Sequence, residues 1–233
     1  MKLSIIIPVF NEKDTILKLL KKVGSVILQK EIIIVDDGSF DGTKEILKTE
    51  AVYRMLDTSQ NQIKIVCHEK NMGKGMAIRT GLKHVTGDIV IIQDADLEYD
   101  PEDYVKLIDP ILQKKADIVY GSRILGKNKK SYWSFYLGGR VLSFFTNLLY
   151  GSHITDEPTC YKVFRSDVIN STRLVCKRFE FCPEITAKLL KKGHKIYEVP
   201  IHYYPRSISN GKKIRFRDAI EAFWVLIKYR ITK

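Results

Sequence analysis

Asp88-Ile89-Val90-Ile91-Ile92-Gln93-Asp94-Ala95-Asp96-Leu97-Glu98 is the stretch from which the rest of the chain is read. A run of β-branched apolar residues ends in two carboxylates one residue apart, with a third carboxylate two further on. The run is too short for a helix and rich in Ile and Val, which predicts a buried strand. In a parallel sheet the carboxyl ends of strands face the ligand crevice. Asp94 and Asp96 are therefore expected at the mouth of a site. If the chain stays extended, Asp94, Asp96 and Glu98 share one side, because strand side chains alternate with period two. Three carboxylates on one side repel unless a cation lies between them, and hard oxygen donors suit Mg²⁺ or Mn²⁺. A competing reading makes these acids the N-cap and first turn of a helix opened by Pro101.

Outward from this stretch the same grammar repeats. Residues 3–9, 31–35, 63–67 and 117–120 are further apolar runs that read as strands. Between the first two, Ile16, Leu19, Leu20, Val23 and Ile27 recur at helical spacing. Helices are also expected over about 44–56, from the Asn71-Met72-Gly73-Lys74-Gly75 loop to Val85, and after Asp100-Pro101. Strands alternating with helices predict a mostly parallel sheet covered on both faces, an α/β fold. Right-handed crossovers bring the strand ends to one rim. On that rim fall residues 8–12, Asp36-Asp37-Gly38-Ser39, residues 94–98 and Arg123.

After Arg123 the composition changes. Lys127, Lys129 and Lys130 form a basic cluster, and residues 134–150 are rich in aromatic and large aliphatic side chains, interrupted by Gly138, Gly139, Arg140 and Asn147. Residues 156–161 lead into an expected edge strand. A helix is expected over 179–192, with Glu180 and Glu184 one turn apart, then a strand over 195–203 and a loop from Pro205 to Lys213. A closing helix over 214–231 would place Phe216, Ile220, Phe223, Trp224, Ile227 and Ile231 on one face. A basic amphipathic helix fits a membrane surface, and equally a helix packed on its own domain. The organisation expected is one domain over 1–213 and an amphipathic helix over 214–233.

With 45% hydrophobic residues among 233, the chain can bury a substantial core, which excludes wholesale disorder. Net charge of +12 favours an anionic partner: nucleic acid, phosphorylated substrate or anionic membrane. Carboxylates on the binding rim argue against nucleic acid, since they repel phosphates. Cys67, Cys160, Cys176 and Cys182 lack zinc-site spacing and read as reduced thiols of a cytosolic protein. The 71–75 loop lacks the P-loop pattern. Its Lys74 either approaches a phosphate at a helix N-terminus or is a solvated turn lysine. Asp36-Asp37-Gly38-Ser39 is either a nucleoside-binding carboxylate turn or a plain acidic turn. Arg123, Arg206, Lys212 and Lys213 are candidates for pyrophosphate pairing.

Taken together, Ile6-Ile7-Pro8-Val9-Phe10-Asn11-Glu12, Val35-Asp36-Asp37-Gly38-Ser39, Asp41-Gly42-Thr43, the 71–75 loop, Asp94-Ala95-Asp96-Leu97, Gly121-Ser122-Arg123 and residues 205–213 resemble the family 2 glycosyltransferases. The resemblance is closest to those that make dolichyl-phosphate mannose and other polyprenyl-phosphate sugars. It implies a GT-A fold, Rossmann-like in its nucleotide-sugar binding. It also implies a GDP-mannose donor ahead of UDP-glucose or a UDP-N-acetylhexosamine, and a dolichyl or polyprenyl phosphate acceptor. The alternative is a family 2 enzyme acting on a saccharide or protein acceptor. The implied donor contacts are Pro8, Phe10, Glu12, Val35, Asp37, Lys74, Gln93, Asp94, Ala95, Asp96, Arg123, Arg206 and Lys212. Asp94 and Asp96 would hold the metal, Mg²⁺ or Mn²⁺, with Glu98 third, where the mannose synthases carry Gln. Ser134 and Arg140 would meet the acceptor, and Asp96 and Asp156 are the implied catalytic pair. The enzyme would then sit peripherally at the cytosolic face of a membrane.

Overall fold

The apolar runs form strands in the computed structural model of the chain, which describes residues 1–56, 61–128, 133–206 and 216–232. β1 (Leu3–Val9), β2 (Lys30–Asp36), β3 (Asn61–Cys67) and β4 (Ile89–Ile92) are parallel neighbours in the order β3-β2-β1-β4. The sheet continues through β6 (Lys162–Arg165), β5 (Ile118–Ser122) and β7 (Tyr197–Pro200), making seven strands among the described residues. β6 runs antiparallel to both β4 and β5, whereas β5 and β7 are parallel. The expected edge strand is thus an interior one. Val163 and Phe164 are wholly buried, and two adjacent apolar residues between Lys162 and Arg165 do not distinguish that position from an edge.

Helices cover the sheet because each pairs a buried stripe with the strand faces. α1 (Ile16–Ser25) buries Ile16, Leu19, Leu20 and Val23, the predicted set. The single helix expected over 44–56 is broken into α2 (Thr43–Leu47) and α3 (Glu50–Leu56). The Thr49 hydroxyl donates to the Ile46 carbonyl at the break, the back-bonding that competes with helix continuation. α4 (Lys74–Leu82) and α5 (Tyr104–Leu112) complete the first half.

α6 (Trp133–Tyr150) gathers the aromatic-rich stretch into one helix despite its two glycines. α7 (Ser166–Asn170), α8 (Phe181–Lys191) and α9 (Phe216–Ile231) follow. Leu142 of α6, Ala187 of α8, and Ala222 and Leu226 of α9 form a second small core, with Phe145 edge-on to Phe223 at 5.2 Å. The inner face of α9 is therefore Ala222, Val225 and Leu226, while Ile220, Trp224 and Ile231 of the predicted apolar face are exposed. Among the described residues, no helix is long and apolar enough to cross a membrane.

Candidate active site

β4 ends at Ile92, and the chain turns where extension was expected. Leu97 adopts a left-handed backbone (φ 63), and the Glu98 N–H donates back to Asp96 Oδ1 at 3.1 Å. Asp94, Asp96 and Glu98 consequently do not line one side of a strand; each finds its own partner. Lys74 Nζ holds Asp94 at 2.6 Å. Arg206 reaches Asp96 at 3.0 Å and Glu12 at 3.2 Å, and its backbone N–H donates to Glu98 at 2.8 Å. The Tyr203 hydroxyl also donates to Glu98, at 3.3 Å. Residues nearly two hundred positions apart in sequence thus meet at one rim.

Charge at this rim is not balanced. Glu12, Asp94, Asp96 and Glu98 face the cations of Lys74 and Arg206. Burial first, then the neighbouring Asp94 and Glu98, push the Asp96 carboxyl up to about 7 against the pull of Arg206. A set of hard oxygen donors with surplus negative charge fits a divalent cation such as Mg²⁺ or Mn²⁺. With the carboxylates closed on Lys74 and Arg206, no three acids among the described residues converge as metal ligands.

Lys74 is neither solvated nor aimed outward. Gly73 before it takes φ 96, where a Cβ would lie 2.3 Å from the Lys177 carbonyl. The first free N–H groups of α4 are taken by the 177–178 carbonyls: Gly75 donates to Arg178 O and Met76 to Lys177 O, both at 3.0 Å. These two N–H groups are therefore not directed at a phosphate in this arrangement. The supporting loop is itself held by α8. Glu184 accepts from the Val175 and Cys176 N–H groups, and Glu180 from those of Lys177 and Arg178. Asp37 closes the other side, accepting from Met72 N–H at 2.9 Å, Gly73 N–H at 2.7 Å and His68 Nδ1 at 2.7 Å. It lies buried and clamps the loop that carries Lys74. His68 had no distinguishing spacing in the sequence; its role here depends on a contact across thirty-one residues.

A second charged pair lies beside the first. Arg123 closes a fork on Asp156, with Nε and Nη2 each at 2.7 Å, and its N–H adds a third bond at 2.9 Å. The guanidinium also sits over the Tyr203 ring at 5.1 Å. Asn128 ties this corner together, donating to Arg123 O and Ile201 O and accepting from Tyr203 N–H.

The remaining predicted residues are distributed unevenly. Pro8 and Phe10 are half-buried at the end of β1, with Phe10 edge-on to the exposed Phe40 at 5.9 Å. Val35 and Ala95 are buried. Gln93 is turned away from the rim: its Oε1 accepts from the buried Tyr104 and Tyr161 hydroxyls at 2.6 Å, and its Nε2 donates to Asp94 O. The side chain is wholly buried, which leaves it behind the rim in this arrangement. Ser134 and Arg140 are exposed on α6, and Arg140 donates to Thr155 O at 3.3 Å, next to Asp156. Lys212, with Lys129, Lys130 and Lys213, lies outside the described residues.

Residues 4–172 match the profile of glycosyl transferase family 2. The chain belongs to that family. Among its relatives is the UDP-N-acetylglucosamine–dolichyl-phosphate N-acetylglucosaminyltransferase of Methanococcus voltae, 32% identical over 98% of this chain and 96% of its own length. The dolichol-phosphate mannosyltransferase of Pyrococcus furiosus is 30% identical over 91% of this chain, which spans 59% of that longer protein. Among solved structures, glucosyl-3-phosphoglycerate synthase of Mycobacterium tuberculosis with Mg²⁺ and uridine diphosphate superposes with a TM-score of 0.72, at 16% identity over 98% of this chain and 79% of that one. That likeness establishes the shared GT-A-like fold.

Proposed function

We propose that the protein is an inverting hexosyltransferase that moves a sugar from a nucleotide sugar to a dolichyl or polyprenyl phosphate, using a divalent cation. The observation that carries this reading is the rim where Glu12, Asp94, Asp96 and Glu98 meet Lys74 and Arg206 at the strand ends. Such a rim suits a nucleoside diphosphate arriving with a metal. Asp94 and Asp96 would hold the ion, which supplies charge compensation to the departing diphosphate. Glu98, tied to Arg206 and Tyr203, acts as a weaker third donor.

The chain's own residues divide the rest of the work. Pro8 and Phe10 border the nucleoside, backed by the buried Val35, while Asp37 fixes the loop that carries Lys74. Arg206 and Lys74 supply preorganised positive charge toward the pyrophosphate. A lipid phosphate is already an anion at neutral pH, so the acceptor needs orientation more than a strong base. Asp156 gives that orientation, with Arg123 as its ion-pair partner and, as the family resemblance implies, a donor-phosphate contact. Single displacement on an α-linked donor inverts the anomeric centre and gives a β-linked product.

For the donor, two readings each have support. The resemblance to the enzymes that make dolichyl-phosphate mannose favours GDP-mannose. The N-acetylglucosaminyltransferase relative, matched over nearly the whole of both chains, favours UDP-N-acetylglucosamine. A donor panel with a short polyprenyl phosphate and Mg²⁺ or Mn²⁺ separates them by product mass.

The surface near the acceptor side fits a bilayer. Trp133, Leu137, Val141, Phe144 and Leu148 form one exposed stripe along α6, with Trp224 and Ile220 exposed on adjacent α9. Exposed Arg140, Arg217, Lys228 and Arg230 flank them, the composition of an interfacial helix pair at an anionic surface. We place the enzyme peripherally at the cytosolic face of a membrane.

A further inference from the structure

The segment 152–157 that carries Asp156 has no strand or helix of its own. Even so, four successive backbone N–H groups in it are bound, each by a side chain from outside the segment. Ile154 N–H donates to Asn147 Oδ1 at 2.9 Å. Thr155 and Asp156 N–H donate to the two oxygens of Glu198 at 2.7 and 3.0 Å. Glu157 N–H donates to Ser143 Oγ at 2.9 Å. Asn147 also donates through Nδ2 to Ile154 O at 2.9 Å and accepts the Ser152 hydroxyl at 2.7 Å. Irregular backbone usually satisfies its polar groups with water or its own turns. Here α6 on one side and β7 on the other do so instead.

We propose that Asn147 and Glu198 are positioning residues for the transfer reaction, clamping the 154–157 backbone so that the Asp156–Arg123 pair is held toward the acceptor. The proposal rests on the reading of Asp156 given above. Arg140, Ser143 and Asn147 follow one another at i, i+3 and i+7 and form one polar edge of α6. The exposed apolar stripe runs along the neighbouring face of the same helix. The element we place on the bilayer is therefore the element that sets Asp156. The clamping side chains Ser143, Asn147 and Glu198 make no bond to Asp94, Asp96 or Lys74, so their loss is expected to act on acceptor orientation before donor binding.

That separation defines the test. Asn147→Ala, Glu198→Gln and Glu198→Ala are compared with the natural chain in three measurements: transfer to a water-soluble short polyprenyl phosphate, nucleoside diphosphate binding with Mn²⁺ by calorimetry, and amide hydrogen exchange of residues 154–157. We expect Asn147→Ala to lower kcat at least tenfold while donor KM and nucleotide affinity stay within twofold. Its 154–157 amides should exchange faster than those of the natural chain. Glu198→Gln keeps one acceptor oxygen for the two N–H groups and should retain more activity than Glu198→Ala. Equal kcat for Asn147→Ala and the natural chain would overturn the proposal, as would unchanged protection of the 154–157 amides. A loss shared equally by donor affinity would overturn it too, marking the residue as merely structural. If Asn147→Ala does not fold, the two Glu198 variants decide alone, and equal activity in both counts against the clamp. Absence of transfer by the natural chain would defeat the functional reading instead, leaving the exchange measurement to decide whether the clamp exists.

Discussion

Arg206 and Lys74 are side chains whose geometry cannot be inferred from their neighbours in sequence. Arg206 bridges Glu12, Asp96 and, through its backbone, Glu98, so its removal leaves three acids facing one another. Arg206→Ala should raise the transfer barrier by about 2–4 kcal/mol, the scale of one lost charge-stabilising donor. Steady-state kcat/KM for the donor checks this, and an unchanged value would show that the arginine stays with the acids throughout turnover. Asp96→Asn tests the opposite charge. Its shape is kept, so melting should change little or rise, because a carboxyl pushed up to about 7 by burial and by Asp94 and Glu98 favours its neutral form. Mn²⁺-dependent binding of a nucleoside diphosphate, measured by calorimetry, should be lost. Tight metal-dependent binding by Asp96→Asn would remove Asp96 from the metal site.

Single elements show how support is built behind the rim. Glu31 of β2 accepts from Ser4 and Thr86 hydroxyls and from Thr86 N–H, and pairs with Lys2 at 2.8 Å. Burial alone would raise its pKa, but the bonds from Lys2, Ser4 and Thr86 win and bring it down to about 2. A folded-state pKa below the unfolded one gives stability that is complete above about 4.5 and lost as pH falls toward 2. Glu31→Gln should therefore cost about 2–3 kcal/mol at neutral pH, with the gap closing through that acid window in urea titrations. A pH-independent gap would assign the effect to shape alone. Gly73→Ala should destabilise the α4 entrance, since its φ of 96 and the Lys177 carbonyl 2.3 Å from a Cβ both oppose a side chain. A lowered Tm together with loss of transfer is expected. The parallel strands, α1 and the strand-end placement of the acids were legible in the sequence, because Ile and Val runs and helical spacing are local signals. The interior place of β6, the turn at Leu97 and the inward rotation of Gln93 were not. β6 and Gln93 depend on partners distant in the chain, such as Tyr161 for Gln93, and the Leu97 turn on a left-handed backbone that a leucine does not signal.

At the scale of the whole molecule, the α6–α8–α9 layer joins the proposed membrane surface to the sheet. Because Ala222 and Leu226 share a core with Leu142 and Ala187, deleting α9 should lower Tm rather than merely release the protein from lipid. Trp224→Ser, at an exposed position, should instead weaken flotation with phosphatidylglycerol-containing vesicles while leaving Tm unchanged. High salt should weaken flotation further, as for any basic surface on an anionic leaflet. Equal flotation by Trp224→Ser and the natural chain would move the membrane contact elsewhere. One reaction underlies these predictions, sugar transfer from a nucleotide sugar to a polyprenyl phosphate. The most direct measurement incubates the purified chain with a short polyprenyl phosphate, GDP-mannose or UDP-N-acetylglucosamine, and Mg²⁺ or Mn²⁺, and reads products by mass spectrometry. The account predicts a glycosylated polyprenyl phosphate from one of these donors, abolished by EDTA. Transfer only to a saccharide or protein acceptor, with the lipid phosphate untouched, would contradict it.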